Sequence, residues 1–151
     1  MHMVTAINTD TFELTVLDAE TPVLVDVWAP WCGPCRMVEP VVKAVDQKTG
    51  REVKVVKVNA DDNQDLLYEY GIAGIPTLLF FQHGHLVARM TGVQTEQRIL
   101  DKLEEIKGMS PEEVAENELV GVMSKKQMRT MGIIFGLIVL VSVVVAVTVA
   151  F

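Results

Sequence analysis

The chain has 151 residues, half of them hydrophobic, with 13 Lys/Arg against 20 Asp/Glu. That length holds one ordinary domain plus something small, and the acidic balance, 10 Lys/Arg against 16 Asp/Glu over residues 1–107, excludes a nucleic-acid binder, which needs a basic face. The two cysteines, Cys32 and Cys35, are too few for a secreted disulfide scaffold. A zinc site would need two further ligands. His83 and His85 flank Gly84 in a predicted turn and read as surface residues, so no metal or cofactor is expected.

Val4–Ile7 is a short strand candidate, and Asn8 or Thr9 offers a cap for a helix through Leu17. Val23-Leu24-Val25-Asp26-Val27-Trp28 is a nearly continuous β-branched and apolar run, the pattern of a central strand buried on both faces. Helical spacing follows from Cys35 to about Lys48, with Met37, Val38, Val41, Val42 and Val45 as its apolar stripe. Pro40 lies inside this helix and predicts a kink, and Gly50 ends it. Val53–Asn59 is a further strand, and Asp61–Tyr70 a short helix closed by Gly71. Thr77–Phe81 and Leu86–Met90 form a hairpin around residues 82–85. Thr95 then caps a last helix with Ile99, Leu100, Leu103 and Ile106 on one face, stopping at Gly108. Strands alternating with helices call for an α/β fold with a parallel core, to which the hairpin adds an antiparallel edge.

Three units follow from this pattern: a domain over 1–107, an acidic connecting segment over 108–128, and an anchor over 129–151. In the connecting segment Ser110-Pro111-Glu112-Glu113 has the form of a capping box. Val114, Ala115, Leu119, Val122 and Met123 fall on one helical face, so the segment is either a mobile linker with some helicity or a docking or membrane-skimming helix. Gly132–Phe151 is twenty residues without a charge, fourteen of them Ile, Leu, Val or Phe. At ~1.5 Å per residue a helix of that length covers about 30 Å, the thickness of a bilayer core, so a transmembrane helix in membrane lipid is expected. Lys125, Lys126 and Arg129 precede it, and the positive-inside rule puts that flank, and the domain with it, on the cytoplasmic side. The first residues lack the basic start and apolar run of a signal peptide, which agrees with a single-pass, tail-anchored arrangement. Gly132 and Gly136 match the small-xxx-small pattern for helix pairing.

Dithiol exchange needs one thiolate to attack and a second thiol near enough to close a ring. Cys32 at a strand-to-helix junction, with Cys35 one turn inside the helix, meets both needs. The free N–H groups and dipole of the helix N-terminus favour a thiolate by about 0.3–2 kcal/mol. Cys32 is therefore the expected nucleophile and Cys35 the resolving thiol.

The run from Val23 through Trp28, Ala29-Pro30-Trp31 and Cys32-Gly33-Pro34-Cys35-Arg36 resembles the thioredoxin family. Gly74-Ile75-Pro76-Thr77 resembles that family's cis-proline loop, and Gly84 and Gly92 fall where it places glycines. The resemblance covers about Val4 to Lys107. It implies a thioredoxin fold, a central mixed five-stranded sheet flanked by helices. It also implies that Asp26, its pKa raised by burial, takes the proton of Cys35, with Lys57 tuning it. Pro76 is implied to be cis and to face the cysteines, leaving the Ile75 backbone free to pair with an extended client segment. Trp31, Gly33, Pro34, Gly74, Ile75, Gly92 and Val93 are implied to form a flat docking surface, with Trp28 packed beneath the site. Arg36 stands where lysine is commonest in the family, and Thr91 and Val93 alter the docking rim. The C-terminal anchor is the feature that ordinary soluble members lack.

The function expected is reduction of disulfides on client proteins at the cytoplasmic face of a membrane, with a thioredoxin reductase as electron donor. Two alternatives stay open. One is an outward-facing oxidase or isomerase; the other is an accessory subunit of a membrane complex recruited through the tail.

Overall fold

A computed structural model describes residues 4–117. The expected transmembrane anchor over 129–151, its basic flank, the Gly132/Gly136 pair and the second half of the connecting segment lie outside the described residues. Among the described residues no helix is long and apolar enough to cross a membrane.

The elements are β1 (Thr5–Ile7), α1 (Thr9–Phe12, continuing as a π-helical turn over Glu13–Leu17), β2 (Val23–Trp28), α2 (Gly33–Thr49) and β3 (Lys54–Asn59). They continue with α3 (Gln64–Glu69), β4 (Thr77–Gln82), β5 (His85–Thr91), α4 (Glu96–Lys107) and α5 (Pro111–Asn117). One mixed five-stranded sheet runs in the order β1-β3-β2-β4-β5. β1, β3 and β2 are parallel, and β4 and β5 are antiparallel.

The period-two alternation of strands sorts the core into two layers. Val23, Val25, Val27, Val56, Val58, Leu79 and Phe81 pack with Phe12 and Val16 of α1 and Leu66 and Tyr70 by α3. Leu24, Val55, Leu78 and Phe80 face the other way, onto Val38, Val42 and Val45 of α2 and Ile99, Leu103 and Ile106 of α4. β2 and β4 are buried on both faces, which is why they read as continuous apolar runs.

Local chemistry explains the element ends. Asn8 caps α1, its side chain accepting from Thr11 N at 3.1 Å, while the Thr11 hydroxyl accepts from Asn8 N. The β4–β5 turn is His83-Gly84, both at positive φ (51° and 81°), as a two-residue hairpin turn requires. At Gly84 a Cβ would meet Leu17 O at 2.5 Å, so the close approach also demands glycine.

Three sequence expectations need correcting. Met37 is exposed rather than part of the α2 stripe, because Val38, Val42 and Val45 already hold the i, i+4, i+7 positions against the sheet. α3 starts at Gln64, not Asp61, because Asn59 and Asn63 turn the chain first. The Asn63 amide donates to Asn59 O at 2.8 Å, and its oxygen accepts from Thr9 N at 2.8 Å. Ala115 is exposed, while Val114 next to it is fully buried in the α2–α4 layer. The Ser110 capping box forms as expected, with Ser110 N donating to Glu113 at 2.7 Å and Glu113 N donating to Ser110 Oγ at 3.3 Å. The start of the connecting segment is thus a helix docked on the domain.

Candidate active site

β2 ends at Trp28, and the next turn delivers Cys32 to the N-cap of α2, with Pro34 in the first helical turn. Proline is pre-shaped for that position and lacks only an N–H that the helix could not have used there. Cys32 and Cys35 form a disulfide with Cα atoms 5.3 Å apart. Cys35 N donates to Cys32 Sγ at 3.2 Å, so the helix N-terminus is aimed at the Cys32 sulfur. Both cysteines are only 4% exposed, while Gly33 and Pro34 between them are open to solvent.

Asp26 lies two residues before the end of β2, opposite Lys57 of β3 and Leu78 of β4. It is 5% exposed, and its Oδ1 has no hydrogen-bond partner among the described residues. Burial pushes its carboxyl up from the ordinary 3.8 to about 7, against the pull of the Lys57 ammonium and with a push from Glu39. Lys57 is half-buried, its Nζ 5.0 Å from the centre of the Trp28 ring, which holds the ammonium by a cation–π contact. Asp26, Trp28, Cys35, Arg36, Glu39 and Lys57 line one cleft of about 130 Å³, closed by Ala29 and Pro30. That volume and polarity admit water, so a proton can pass between Cys35 and Asp26 without direct contact.

The second half of the site comes from the β4 and β5 ends. The Ile75–Pro76 peptide is cis. Thr77 Oγ1 donates to Gly74 O at 2.7 Å and Gly92 N donates to Pro76 O at 2.8 Å, which ties the loop before β4 to the loop after β5. Ile75 is half-buried against the layer that contains both cysteines, whereas Gly74 is exposed. Gly92 takes φ 83°. Trp31 and Val93 are 68% and 47% exposed, so both present apolar surface to solvent beside the cysteines' loop and the Gly92 turn.

Three contributors were missed by sequence reasoning. Asp61 accepts from Trp31 Nε1 at 3.1 Å and holds the exposed indole. Gln94 is buried and donates to Thr91 O at 3.0 Å, bracing the Gly92 turn. Glu39 lines the Asp26 cleft. Only Glu39 had a sequence signal, since it lies four residues after Cys35 and so on the same helical face. Asp61 lies 30 residues from Trp31, beyond any local pattern.

A family model for thioredoxin matches residues 3–105. Thioredoxin 1 of Synechococcus elongatus is 45% identical over 104 residues, covering 69% of this chain and 97% of the relative. A thioredoxin of Synechocystis is 50% identical over 93 residues, covering 62% and 87%. A chloroplastic M-type thioredoxin of Chlamydomonas reinhardtii is 41% identical over 99 residues, covering 66% and 71%. The sheet order, the cis-proline and the Cys32–Cys35 pair on a helix N-terminus agree with these matches, and the chain belongs to the thioredoxin family. It is a thiol–disulfide oxidoreductase acting on protein disulfides.

Proposed function

We propose that the protein reduces client disulfides at the cytoplasmic face of a membrane, anchored by a transmembrane helix over 129–151. The observation that carries the chemistry is the cleft in which Asp26, with a carboxyl near neutrality, meets Cys35 behind the Cys32 disulfide. The Cys32 thiolate attacks a client sulfur; the client bond breaks and its second sulfur leaves as a thiolate that takes a proton from water. Cys35 then gives its proton to Asp26 and attacks Cys32. The Cys32–Cys35 bond forms, the bond from Cys32 to the client breaks, and the client departs reduced. The two electrons spent are restored by a thioredoxin reductase.

Extended client segments pair with the Ile75 backbone beside the cis-proline and lie across Trp31, Gly33, Pro34, Gly74, Gly92 and Val93. Support for the reducing direction comes from Gly33-Pro34 between the cysteines and from the relatives, which are named thioredoxins. Support for the address comes from the uncharged run 132–151 and its basic flank at Lys125, Lys126 and Arg129.

A Cys35→Ser variant tests the chemistry. It should accumulate clients as mixed disulfides on Cys32 that a reductant releases, and a Cys32→Ser, Cys35→Ser chain should trap none. Labelling Cys32 in intact cells with a membrane-impermeant thiol reagent tests the address. Protection until the membrane is opened is expected, and labelling from outside would overturn it.

A further inference from the structure

We propose that Glu39 is a positioning residue for the resolving half-reaction: its carboxylate on the wall of the Asp26 cleft opposes Lys57 and keeps Asp26 basic enough to take the Cys35 proton. The inference rests on the roles proposed above for Cys35 and Asp26.

Glu39 lies one turn below Cys35 on α2, and the two share the cleft with Asp26 and Lys57. The charged groups around Asp26 come from two elements. Lys57 projects from β3, Arg36 and Glu39 from α2, and Asp26 itself from β2. Lys43, a turn further along α2, pairs with Glu39 at 2.8 Å.

Without Glu39 the cleft would hold two cations, Lys57 and Arg36, against one carboxyl, and the ionised form of Asp26 would be favoured. An Asp26 that is ionised too readily accepts a proton poorly. Glu39 supplies the opposing field, and the push it gives the Asp26 carboxyl has that sign. Its own carboxyl is held low, chiefly by the hydrogen bond from Lys43, so it stays charged while Asp26 titrates. Glu39 is exposed enough for salt to weaken it, which makes the effect modest and readable. The Lys43 pair is the adjustable element: removing Lys43 strengthens the field of Glu39 at Asp26.

The test is the pH profile of the full-length chain in three variants, with the Asp26 carboxyl followed by carbon NMR and ring closure by stopped-flow fluorescence. At low salt Glu39→Gln should lower the Asp26 midpoint by about 0.3 pH unit, and Lys43→Gln should raise it by a similar amount. The pH dependence of ring closure should move with the midpoint. In an Asp26→Asn background Glu39→Gln should leave the profile unmoved. An unshifted midpoint in Glu39→Gln, or a shift that survives in the Asp26→Asn background, overturns the role of Glu39. If Asp26→Asn leaves the wild-type profile of ring closure intact, it is the role of Asp26 that fails, which keeps the two failures distinct.

Discussion

The two faces of the sheet solve the same burial problem with opposite chemistry. On the α1–α3 face, Phe12, Tyr70 and Phe81 meet in three tilted or edge-on ring contacts with centroids 5.3–5.7 Å apart. On the α2–α4 face, Leu24 and Asp26 stand two residues apart on one strand, and both are almost fully buried. Leu24 lies among valines and leucines; Asp26 lies in a polar cleft large enough for water, with an unpaired oxygen among the described residues. The first face packs rings tightly in the same layer that holds the cysteine pair. The second gives up stability at one position, where a buried carboxyl shares a cleft with Cys35, as functional sites commonly do.

Substitutions should separate the two faces. Phe81→Ala should cost about 3–5 kcal/mol in denaturant unfolding, with the activity of the folded fraction unchanged. A matching loss of activity per folded molecule would tie the aromatic face to the chemistry and end the contrast.

Asp26→Asn should do the reverse, and its sign follows from the carboxyl lying at about 7 in the folded chain against an ordinary 3.8. Between those values the unfolded chain releases a proton that the folded chain retains, so the folded state loses stability as pH rises through 7. The variant should therefore be more stable than wild type at pH 8, by up to about 4 kcal/mol, with the gain vanishing below about pH 4. Its ring closure should slow. Thermal melts of the oxidised protein across pH check the first claim, and a gain that is constant with pH would sink it.

Much of this contrast is legible in the sequence alone. The run Val23–Trp28 identified β2 residue for residue, and an acid in the middle of it marked Asp26 as costly and therefore of interest. The hairpin was legible because a turn over 82–85 containing Gly84 lay between apolar strands, although the strands run on to Gln82 and His85 and leave only two residues in the turn. The exposed Met37 was not, because a five-residue stripe drawn on α2 cannot tell which of its members the sheet selects. The late start of α3 was hidden because it depends on Thr9 reaching Asn63 across 54 residues of sequence.

Smaller effects sharpen the comparison at its edges. Val114→Ala removes buried methyls from the α2–α4 layer and should cost about 1–2 kcal/mol. Ala115→Ser, at the exposed neighbouring position, should cost almost nothing. Amide exchange over 111–117 that is indifferent to Val114→Ala would deny that α5 is part of the domain. Asp61→Ala frees the Trp31 indole, an exposed bond worth about 1 kcal/mol or less. It should raise the KM for a disulfide client by about two- to five-fold while leaving kcat and the unfolding midpoint in place.

By itself the sequence determined the chemistry of this protein, because thiol exchange depends on two cysteines at a strand-to-helix junction, and that spacing is local. It also determined which residues alternate into the two core layers, since strand periodicity is a property of neighbours. Only the tertiary structure decided what surrounds Asp26. Lys57 arrives through β3, Glu39 and Arg36 through α2, and Trp28 beneath them orients the ammonium. A carboxyl responds to the charges and water within a few ångströms, and those neighbours come from three elements that the chain brings together only on folding.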